Sequence, residues 1–331
     1  MATVVQYNIL SSGLSSPQYH IRCSPADLDP SIRFDRVIQE LSLFIDEKAI
    51  INLQEVSQTW LGPLCDFFTA RDYVMISSPY GFYLNDYMGN AIAYPREMYT
   101  TESTKIKVVG AKIPTPKPVT HTRWQLFIQK VFLILITMGL VKKRKDPIDE
   151  WVHSRNRTNT IIMTTFTCQE TGAKFVIANY HMPCTYWAPK VSTIHTIESM
   201  KIAQQYARKL PLIFAGDFNF TPDSYQYTSV ISGEFPPSPQ YPDTTGVKWD
   251  SKIYPMQSAY ATLYGKEPDL TVQSTTKDMK EPFRGTLDYI FYSGKCYPSS
   301  GEEVPVLHED TMIPNDIHPS DHLPLKVVFE F

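Results

Sequence analysis

The amino-acid sequence predicts an α/β fold in which β-sheets pack together and helices cover their outer faces. Short apolar runs typical of strands recur along the whole chain, and helical periodicity appears between some of them. The two kinds of element do not follow a strict strand–helix–strand order, which favours packed sheets over a single parallel sheet. With 331 residues, 43% of them hydrophobic, the chain can form one large domain or two ordinary ones.

The predicted elements begin with a strand at residues 3–10, which leads into a polar loop. A helix is expected at 31–47, because apolar residues recur there at intervals of three and four: Phe34, Val37, Ile38, Leu41 and Ile45. The apolar run at 49–53 predicts the next strand. Further strands are predicted at 89–94, 158–167, 174–180, 212–215, 287–292 and 325–329, with a helix around 194–206.

Composition excludes several classes of protein. A net charge of −3, with 20% charged residues, argues against both a disordered tail and a strongly basic nucleic-acid coat protein. Five cysteines without a CxxC pair argue against a disulfide framework and a zinc site. The opening residues read as a strand and lack the basic region of a secretory signal, so we expect a cytoplasmic protein with reduced thiols.

Residues 124–145 form an unusual segment that is apolar and then abruptly basic. Its apolar core at 131–141 is well short of the ~20 residues that a membrane-spanning helix needs. Three interpretations remain open: a helix packed on the domain, an anchor whose basic end contacts lipid headgroups with peripheral membrane association, or a docking segment for a partner protein.

Polar side chains recur where the predicted strands end. The motifs that carry them are YN, LQE, NYH, AGDFN, LDYIFY and SDHLPL, in that order along the chain. Their candidate site residues are Asn8, Glu55, His181, Asp217, Asn219, Asp288, Asp321 and His322. Carboxylates, amides and imidazoles at the ends of apolar strands are typical of a rigid site at the edge of a sheet.

These residue types suit metal-assisted hydrolysis of a phosphodiester. Hard oxygen ligands select Mg²⁺, which Mn²⁺ can replace, over Zn²⁺. We expect Glu55 to be the principal metal ligand, with Asp321, Asn8 and Asp217 as further ligands. Each residue alone has an ordinary structural explanation, because a lone glutamate after a strand is usually a solvated strand end. The prediction depends on all the motifs occurring together and in order.

The remaining candidates have catalytic roles in this scheme. Asp217 and Asn219 are expected to orient the attacking water or to hold a second ion. His322 is expected to act on the phosphate or as a general acid or base, with its tautomer held by Asp288. His181 is expected to donate a hydrogen bond to a phosphoryl oxygen.

The ordered motifs resemble those of the endonuclease/exonuclease/phosphatase superfamily, which has the DNase-I-like fold. The resemblance covers nearly the whole chain. It implies a four-layer α/β sandwich of two packed mixed β-sheets flanked by helices, and it implies that the eight candidate residues occupy active-site positions. It also implies a single catalytic domain at 1–331, with an atypical apolar–basic insertion at about 112–151.

Within that superfamily, the opening YNILSSGLSS and the segment FRGTLDYIFYS are similar to the carbon-catabolite-repression type deadenylases, nocturnin and the 2′-phosphodiesterase. This similarity implies that Phe283 stacks on a terminal base and that Asn159 lies near the phosphate. In HMPCTYWAPK, which is similar to the family's loop after the catalytic histidine, it implies that Pro183 and Trp187 border the substrate. Plain core packing remains the alternative for Phe283.

The sequence thus predicts a Mg²⁺-dependent 3′-to-5′ exoribonuclease that acts on single-stranded RNA such as poly(A) and releases 5′-monophosphates. Docking of a leucine-rich-repeat scaffold is not expected. The alternatives are a phosphatase acting on a dinucleotide or a phosphoinositide, with possible membrane association, a domain that binds without catalysis, or a DNA endonuclease.

Overall fold

The computed structural model describes residues 1–114, 149–275, 281–308 and 310–331. The expectations for residues 124–145, and most of the predicted insertion at 112–151, lie outside the described residues. Among the helices of the described ranges, none is both long and apolar enough to cross a membrane.

The first large sheet contains six strands in the order β13-β14-β1-β2-β4-β3. Its strands are β1 (Ala2–Asn8), β2 (Ile50–Val56), β3 (Tyr73–Pro79), β4 (Gly89–Pro95), β13 (Tyr297–Glu302) and β14 (Leu325–Glu330). The central pair, β1 and β2, is parallel, so the carboxyl ends of these two strands lie side by side.

The second large sheet also contains six strands, in the order β5-β6-β7-β8-β12-β9. Its strands are β5 (Tyr99–Val108), β6 (Thr160–Cys168), β7 (Lys174–His181), β8 (Leu212–Asp217), β9 (Gln257–Ser258) and β12 (Asp288–Ser293). A separate two-stranded ribbon consists of β10 (Val272–Ser274) and β11 (Phe283–Gly285). Here β7 and β8 form the parallel pair.

Helices cover the outer faces of both sheets. They are α1 (Pro30–Asp46), α2 (Gln58–Thr69), α3 (Glu150–Arg155), α4 (Pro189–Ala207) and α5 (Tyr225–Ser232), whereas α6 (Ala259–Tyr264) packs on the core between the sheets. The N-terminus of α1 is capped by Asp29, whose side chain accepts from the N–H groups of Ser31 and Ile32. Its apolar stripe, which includes Val37 and Leu41, packs on the first sheet.

Successive residues of a strand point to opposite faces of its sheet, so each central strand contributes to two separate hydrophobic cores. In β1, Val4 points between the two sheets, whereas Val5 points towards α1 and α2. In β7, Phe175 points between the sheets and Val176 points to the opposite face. The four layers are therefore helix, sheet, sheet and helix, which confirms the expected α/β sandwich of two packed mixed sheets.

Candidate active site

The inward-facing positions of the central strands change from apolar to polar towards one end of the sandwich. In β1, Val4 is followed two and four residues later by Gln6 and Asn8. In β7, Asn179 and His181 occupy the corresponding last two inward positions. Since both sheets carry this change at the same end, their polar side chains face each other across the gap between the sheets.

The second sheet aligns three of the predicted residues by its register. His181 pairs with Asp217 across the parallel β7–β8 ladder, and Asp217 pairs with Asp288 across the antiparallel β8–β12 ladder. The side chains of residues paired in register lie on the same face of a sheet. These three side chains therefore form one row on the face that looks towards the first sheet.

Two site residues occupy the left-handed region of backbone conformation. Glu55 has φ 59° and lies where the register between β2 and β4 shifts, between Leu53 and Val56. Asn219 has φ 51°, just after β8. A bulge and a left-handed residue redirect side chains, and such costly conformations cluster at functional sites.

Side chains from both sheets meet around Asn8 and Asp217. Asn8 Nδ2 lies 3.1 Å from Glu55 Oε1 and 3.1 Å from Asp217 Oδ2. His322 Nε2 lies 3.5 Å from Asn8 Nδ2 and 3.8 Å from Asp217 Oδ2. His181 Nε2 lies 3.4 Å from Asp217 Oδ2 and 4.0 Å from Glu55 Oε1. The structure thus brings these five residues, which lie far apart in the chain, into one buried cluster.

Asp288 holds the ring of His322. Its Oδ2 lies 2.8 Å from His322 Nδ1 and accepts from Thr271 Oγ1 at 2.7 Å, while its Oδ1 accepts from Gln6 Nε2 at 2.9 Å. Burial lowers the pKa of His322, but the Asp288 carboxylate and the hydrogen bond to it raise that pKa well above its ordinary value. The arrangement favours a proton on Nδ1 and directs Nε2 towards Asp217.

His181 is held from its other side by Tyr80, whose hydroxyl lies 2.7 Å from His181 Nδ1. Burial raises the pKa of Tyr80 well above its ordinary value, so the phenol keeps its proton. Asn159 Nδ2 donates to the backbone oxygen of His181 at 2.9 Å. The structure therefore places Asn159 at the backbone of the histidine, where it positions β7.

The oxygen donors fit a hard divalent cation. Glu55 Oε2 accepts from the N–H of Ser11 at 2.9 Å, which leaves Oε1 directed at the cluster. Asp321 Oδ1 is buried and has no hydrogen-bond partner among the described residues. Burial raises the pKa of Asp217 to about 6, against the opposing effect of His181, and a bound cation would favour the carboxylate. Such oxygen ligands suit Mg²⁺ or Mn²⁺.

Ligand-type atoms of Asp217, Asp288 and His322 also lie within 4.8 Å of one another. This trio is a poorer metal site, because Asp288 Oδ2 already binds the ring of His322 at 2.8 Å and the hydroxyl of Thr271 at 2.7 Å, so two of its three members are engaged with each other. Glu55 and Asp217 are the better pair, since each directs one carboxylate oxygen into the cluster.

The predicted substrate residues are distributed around this cluster. Phe283 is half-buried on β11, in the ribbon that leads into Asp288. In the loop after His181, Pro183 is buried and Trp187 is half exposed. Asn219, predicted to orient water, donates its side-chain amide to a backbone carbonyl and its own N–H donates to the carboxylate of the preceding aspartate.

Several residues that complete the site were not among the candidates. Tyr80 and Thr271 each touch a candidate side chain from outside the strands, and no local pattern marks them. Gln6 and Asn179 were detectable, because a buried amide within an apolar strand implies a hydrogen-bonded partner.

The chain is similar to curated proteins that are named as phosphodiesterases and exoribonucleases. Human 2′,5′-phosphodiesterase 12 is 28% identical over 171 residues, which cover 47% of this chain and 26% of that protein. The CCR4-Not complex 3′-5′-exoribonuclease subunit Ccr4 of Schizosaccharomyces pombe is 22% identical over 372 residues, covering 99% of this chain and 49% of that protein. The chain thus spans half or less of the length of these curated relatives.

Among solved structures, the human nocturnin catalytic domain with bound sulfate superposes with a TM-score of 0.64 at 19% identity, covering 100% of this chain and 94% of that one. This likeness confirms the expected fold. Residues 5–322 match the Endonuclease/Exonuclease/phosphatase family, a range that includes every candidate site residue. The curated proteins to which the chain is similar include an exoribonuclease subunit and a 2′,5′-phosphodiesterase, as its motifs led us to expect. The chain therefore belongs to the Endonuclease/Exonuclease/phosphatase family, whose named activities all hydrolyse phosphoester bonds.

Proposed function

We propose that this chain is a Mg²⁺-dependent phosphodiesterase that degrades single-stranded RNA from its 3′ end, with poly(A) as the model substrate, and releases nucleoside 5′-monophosphates. The observation that carries the proposal is the convergence of Glu55, His181, Asp217 and His322 within one buried cluster. The Schizosaccharomyces pombe relative, named as a 3′-5′-exoribonuclease subunit, supports the choice of substrate. We propose that residues 1–331 act as one catalytic domain.

In this proposal Glu55 and Asp217 hold the cation, with Asn8 and Asp321 beside them. Mg²⁺ held there, or Mn²⁺ in its place, would neutralise charge on a phosphoryl oxygen and make the attacking water more acidic. Asn8 donates to both Glu55 and Asp217, so it fixes the separation of the two carboxylates before substrate arrives.

The two histidines act on the phosphate from either side of Asp217. We propose that Tyr80 is the donor to Nδ1 of His181, which places the ring proton of His181 on Nε2, where it donates to a phosphoryl oxygen. Because Asp288 binds Nδ1 of His322, the Nε2 atom of His322 faces the same space. His322 is charged, so it stabilises the negative charge that develops on the phosphoryl group.

Water activation falls to Asp217. Its Oδ1 accepts from the N–H of Asn219 at 3.0 Å, and the side chain of Asn219 donates to the carbonyl of Met182 at 2.8 Å. Asn219 therefore ties the turn after β8 to the end of β7 and fixes the direction of the Asp217 carboxylate. This is a positioning role that orients the water through Asp217.

The substrate strand lies across the cluster. We propose that Phe283 stacks on the terminal base, that Asn159 keeps His181 at the phosphate, and that Pro183 and Trp187 border the nucleotide on the loop after β7. Stacking on one ring contributes about 1–3 kcal/mol per base and tolerates any base.

The test is incubation of the protein with 5′-labelled oligo(A) and Mg²⁺, with chelator and Glu55→Gln as controls. We expect a ladder of shortened strands and release of AMP, both absent in the two controls. Intact RNA under conditions in which a nicotinamide dinucleotide phosphate or a phosphoinositide loses phosphate would refute the RNA assignment. A turnover of Glu55→Gln equal to that of the wild type would refute catalysis at this cluster.

A further inference from the structure

The loop at residues 80–88, which we call the rim loop, exposes large apolar side chains beside the candidate active site. The exposed fractions are 54% for Phe82, 72% for Tyr83, 57% for Leu84 and 50% for Tyr87. Adjacent exposed apolar residues on one short loop are unusual in a protein surface and indicate a binding site. None of these residues has a part in the proposed chemistry.

The rim loop is closed on itself and held in shape. Asn85 Oδ1 accepts from the N–H of Phe82 at 2.7 Å, and the N–H of Tyr87 donates to the carbonyl of Phe82 at 3.0 Å. Gly81 permits this closure, since a Cβ at that position would lie 2.3 Å from Asn85 Oδ1. The apolar side chains are thus presented by an ordered backbone, which lowers the entropic cost of binding.

Hydrogen bonds join the rim loop to both sides of the metal-binding cluster. Tyr80, at its start, contacts His181 Nδ1 at 2.7 Å. Towards its end, the backbone carbonyl of Asn85 accepts from Ser11 Oγ at 2.8 Å, and the N–H of Ser11 donates to Glu55 Oε2 at 2.9 Å. The rim loop is therefore attached to the cluster at His181 and, through Ser11, at Glu55.

The rim loop and Phe283 lie on opposite sides of the cluster. In the second sheet the order β7-β8-β12 places His181 on one side of Asp217 and Asp288 on the other. The rim loop attaches at His181, whereas the ribbon that carries Phe283 leads into Asp288. A strand whose terminal base lies at Phe283 and whose phosphate lies at Asp217 continues towards the rim loop.

We propose that the rim loop is a second base-stacking surface, which binds the nucleotides adjacent to the reacting one in a single-stranded nucleic acid. The inference rests on the proposed function and extends it to strand binding. Phe82, Tyr83 and Tyr87 offer rings on which any base can stack.

The charges of the rim loop favour a base-stacking partner over a lipid surface. Residues 80–88 contain no lysine or arginine, whereas interfacial binding to anionic lipid draws on basic side chains. The one charged residue, Asp86, accepts hydrogen bonds from Ser12 Oγ at 2.9 Å and from the N–H of Thr59 at 3.1 Å. In this proposal aromatic rings of the rim loop stack on bases, so their contribution to the affinity depends little on salt concentration.

The test compares Phe82→Ala/Tyr83→Ala with the wild type and with Tyr297→Ala, a control at a 64% exposed tyrosine on β13. Binding of a fluorescent long oligo(A) is measured by anisotropy in chelator, so that no turnover occurs. We expect the dissociation constant to rise at least about tenfold in the double variant and to stay within about twofold in the control. Phe82→Trp/Tyr83→Trp is expected to restore binding.

Cleavage assays separate this inference from the proposed function. In Mg²⁺, the wild type is expected to prefer long oligo(A) over the dinucleotide ApA, and the double variant is expected to lose that preference at least about tenfold. If the wild type cleaves oligo(A) but the double variant binds oligo(A) as tightly as the wild type does, the inference is wrong and the proposed function stands. Absence of RNA cleavage would overturn the proposed function, while a binding loss in the double variant would still support the surface. Loss of binding to phosphatidylcholine–phosphatidylserine vesicles instead of oligo(A) would overturn it in favour of a membrane contact.

Discussion

Replacing Asp288 by asparagine tests how the site uses His322. Three donors converge on this carboxylate: Gln6 Nε2 at 2.9 Å, Thr271 Oγ1 at 2.7 Å and His322 Nδ1 at 2.8 Å. An asparagine keeps the shape but offers only one acceptor oxygen, so its amide N–H₂ must face at least one of these donors. The substitution also removes the charge that raises the pKa of His322.

The expected loss can be worked from these contacts. A buried hydrogen bond to a charged group is worth about 1.5–3 kcal/mol, and the substitution weakens two of them: the bond from His322 Nδ1 to residue 288 and the proposed bond from charged His322 to the phosphoryl group. A total of about 3–5 kcal/mol in the transition state corresponds to a fall in kcat of about 10²–10⁴. The matched control is Thr271→Val, which removes no charge but removes the hydroxyl that donates to Asp288 and accepts from the N–H groups of Leu287 and Asp288. It should cost about 1–2 kcal/mol, or about 5–30-fold.

Single-turnover cleavage of 5′-labelled oligo(A) at saturating Mg²⁺ measures the effect, with thermal melting of each variant to verify folding. If Asp288→Asn is folded and its rate lies within about threefold of the wild type, the assignment of His322 as the group that Asp288 orients is wrong. If Thr271→Val loses as much activity as Asp288→Asn, the carboxylate charge is not the cause.

Three further outcomes follow from other parts of the structure. Glu55→Gln should lower kcat by at least about 10² and weaken Mn²⁺ binding in calorimetry, since an amide oxygen is a poorer ligand; unchanged Mn²⁺ affinity would contradict its role. The fully buried Arg33 donates to three backbone carbonyls in the loops after β1 and before β14. Arg33→Ala should therefore lower the free energy of unfolding, measured in urea, by about 3 kcal/mol or more, and a loss below about 1 kcal/mol would contradict this. Burial raises the pKa of Glu40 to about 7, against the hydrogen bond from Tyr7, so the folded state binds its proton more tightly than the unfolded state does. The free energy of unfolding should therefore fall as pH rises from about 4.5 to 7. Glu40→Gln should remove that loss and be more stable than the wild type by about 1–2 kcal/mol above pH ~7. If the variant and the wild type have the same free energy of unfolding both at about pH 5 and at about pH 8, this account of Glu40 is wrong.

The central strands were predictable because burial on both faces makes them continuous apolar runs. Strands β1, β7, β8 and β14 lie where the sequence predicts them, with bounds shifted by at most two residues. Helix α1 was also predictable, because its apolar residues repeat at helical spacing. Polar side chains end these apolar runs, and their positions identified the candidate cluster in the sequence.

The peripheral elements were not predictable in the same way. Strand β5 runs along an edge of the second sheet, and most of its residues are exposed, so YTTESTKIKV carries no apolar alternation. Helix α2 contains Gly62 and Pro63, two residues that lower helix propensity, and it depends on the packing of Trp60 and Phe68 instead. Tertiary contacts determine both elements, and a single sequence does not display such contacts.

Hydrogen bonds beneath the cluster indicate that the packing of the two sheets, more than the conformation of the loops, determines its geometry. Gln54 Nε2 donates to Asn179 Oδ1 at 2.7 Å, and Asn179 Nδ2 in turn donates to the backbone carbonyls of Leu53 and Ala91 at 3.0 and 2.8 Å. These bonds cross from one sheet to the other, one step below Asn8 and His181. An unpaired amide at this depth would cost about 1–3 kcal/mol, so the sheets can pack in only the register that satisfies it. That register determines the distance between the Glu55 and Asp217 carboxylates, so sheet packing sets the size of the space in which we propose that the cation binds.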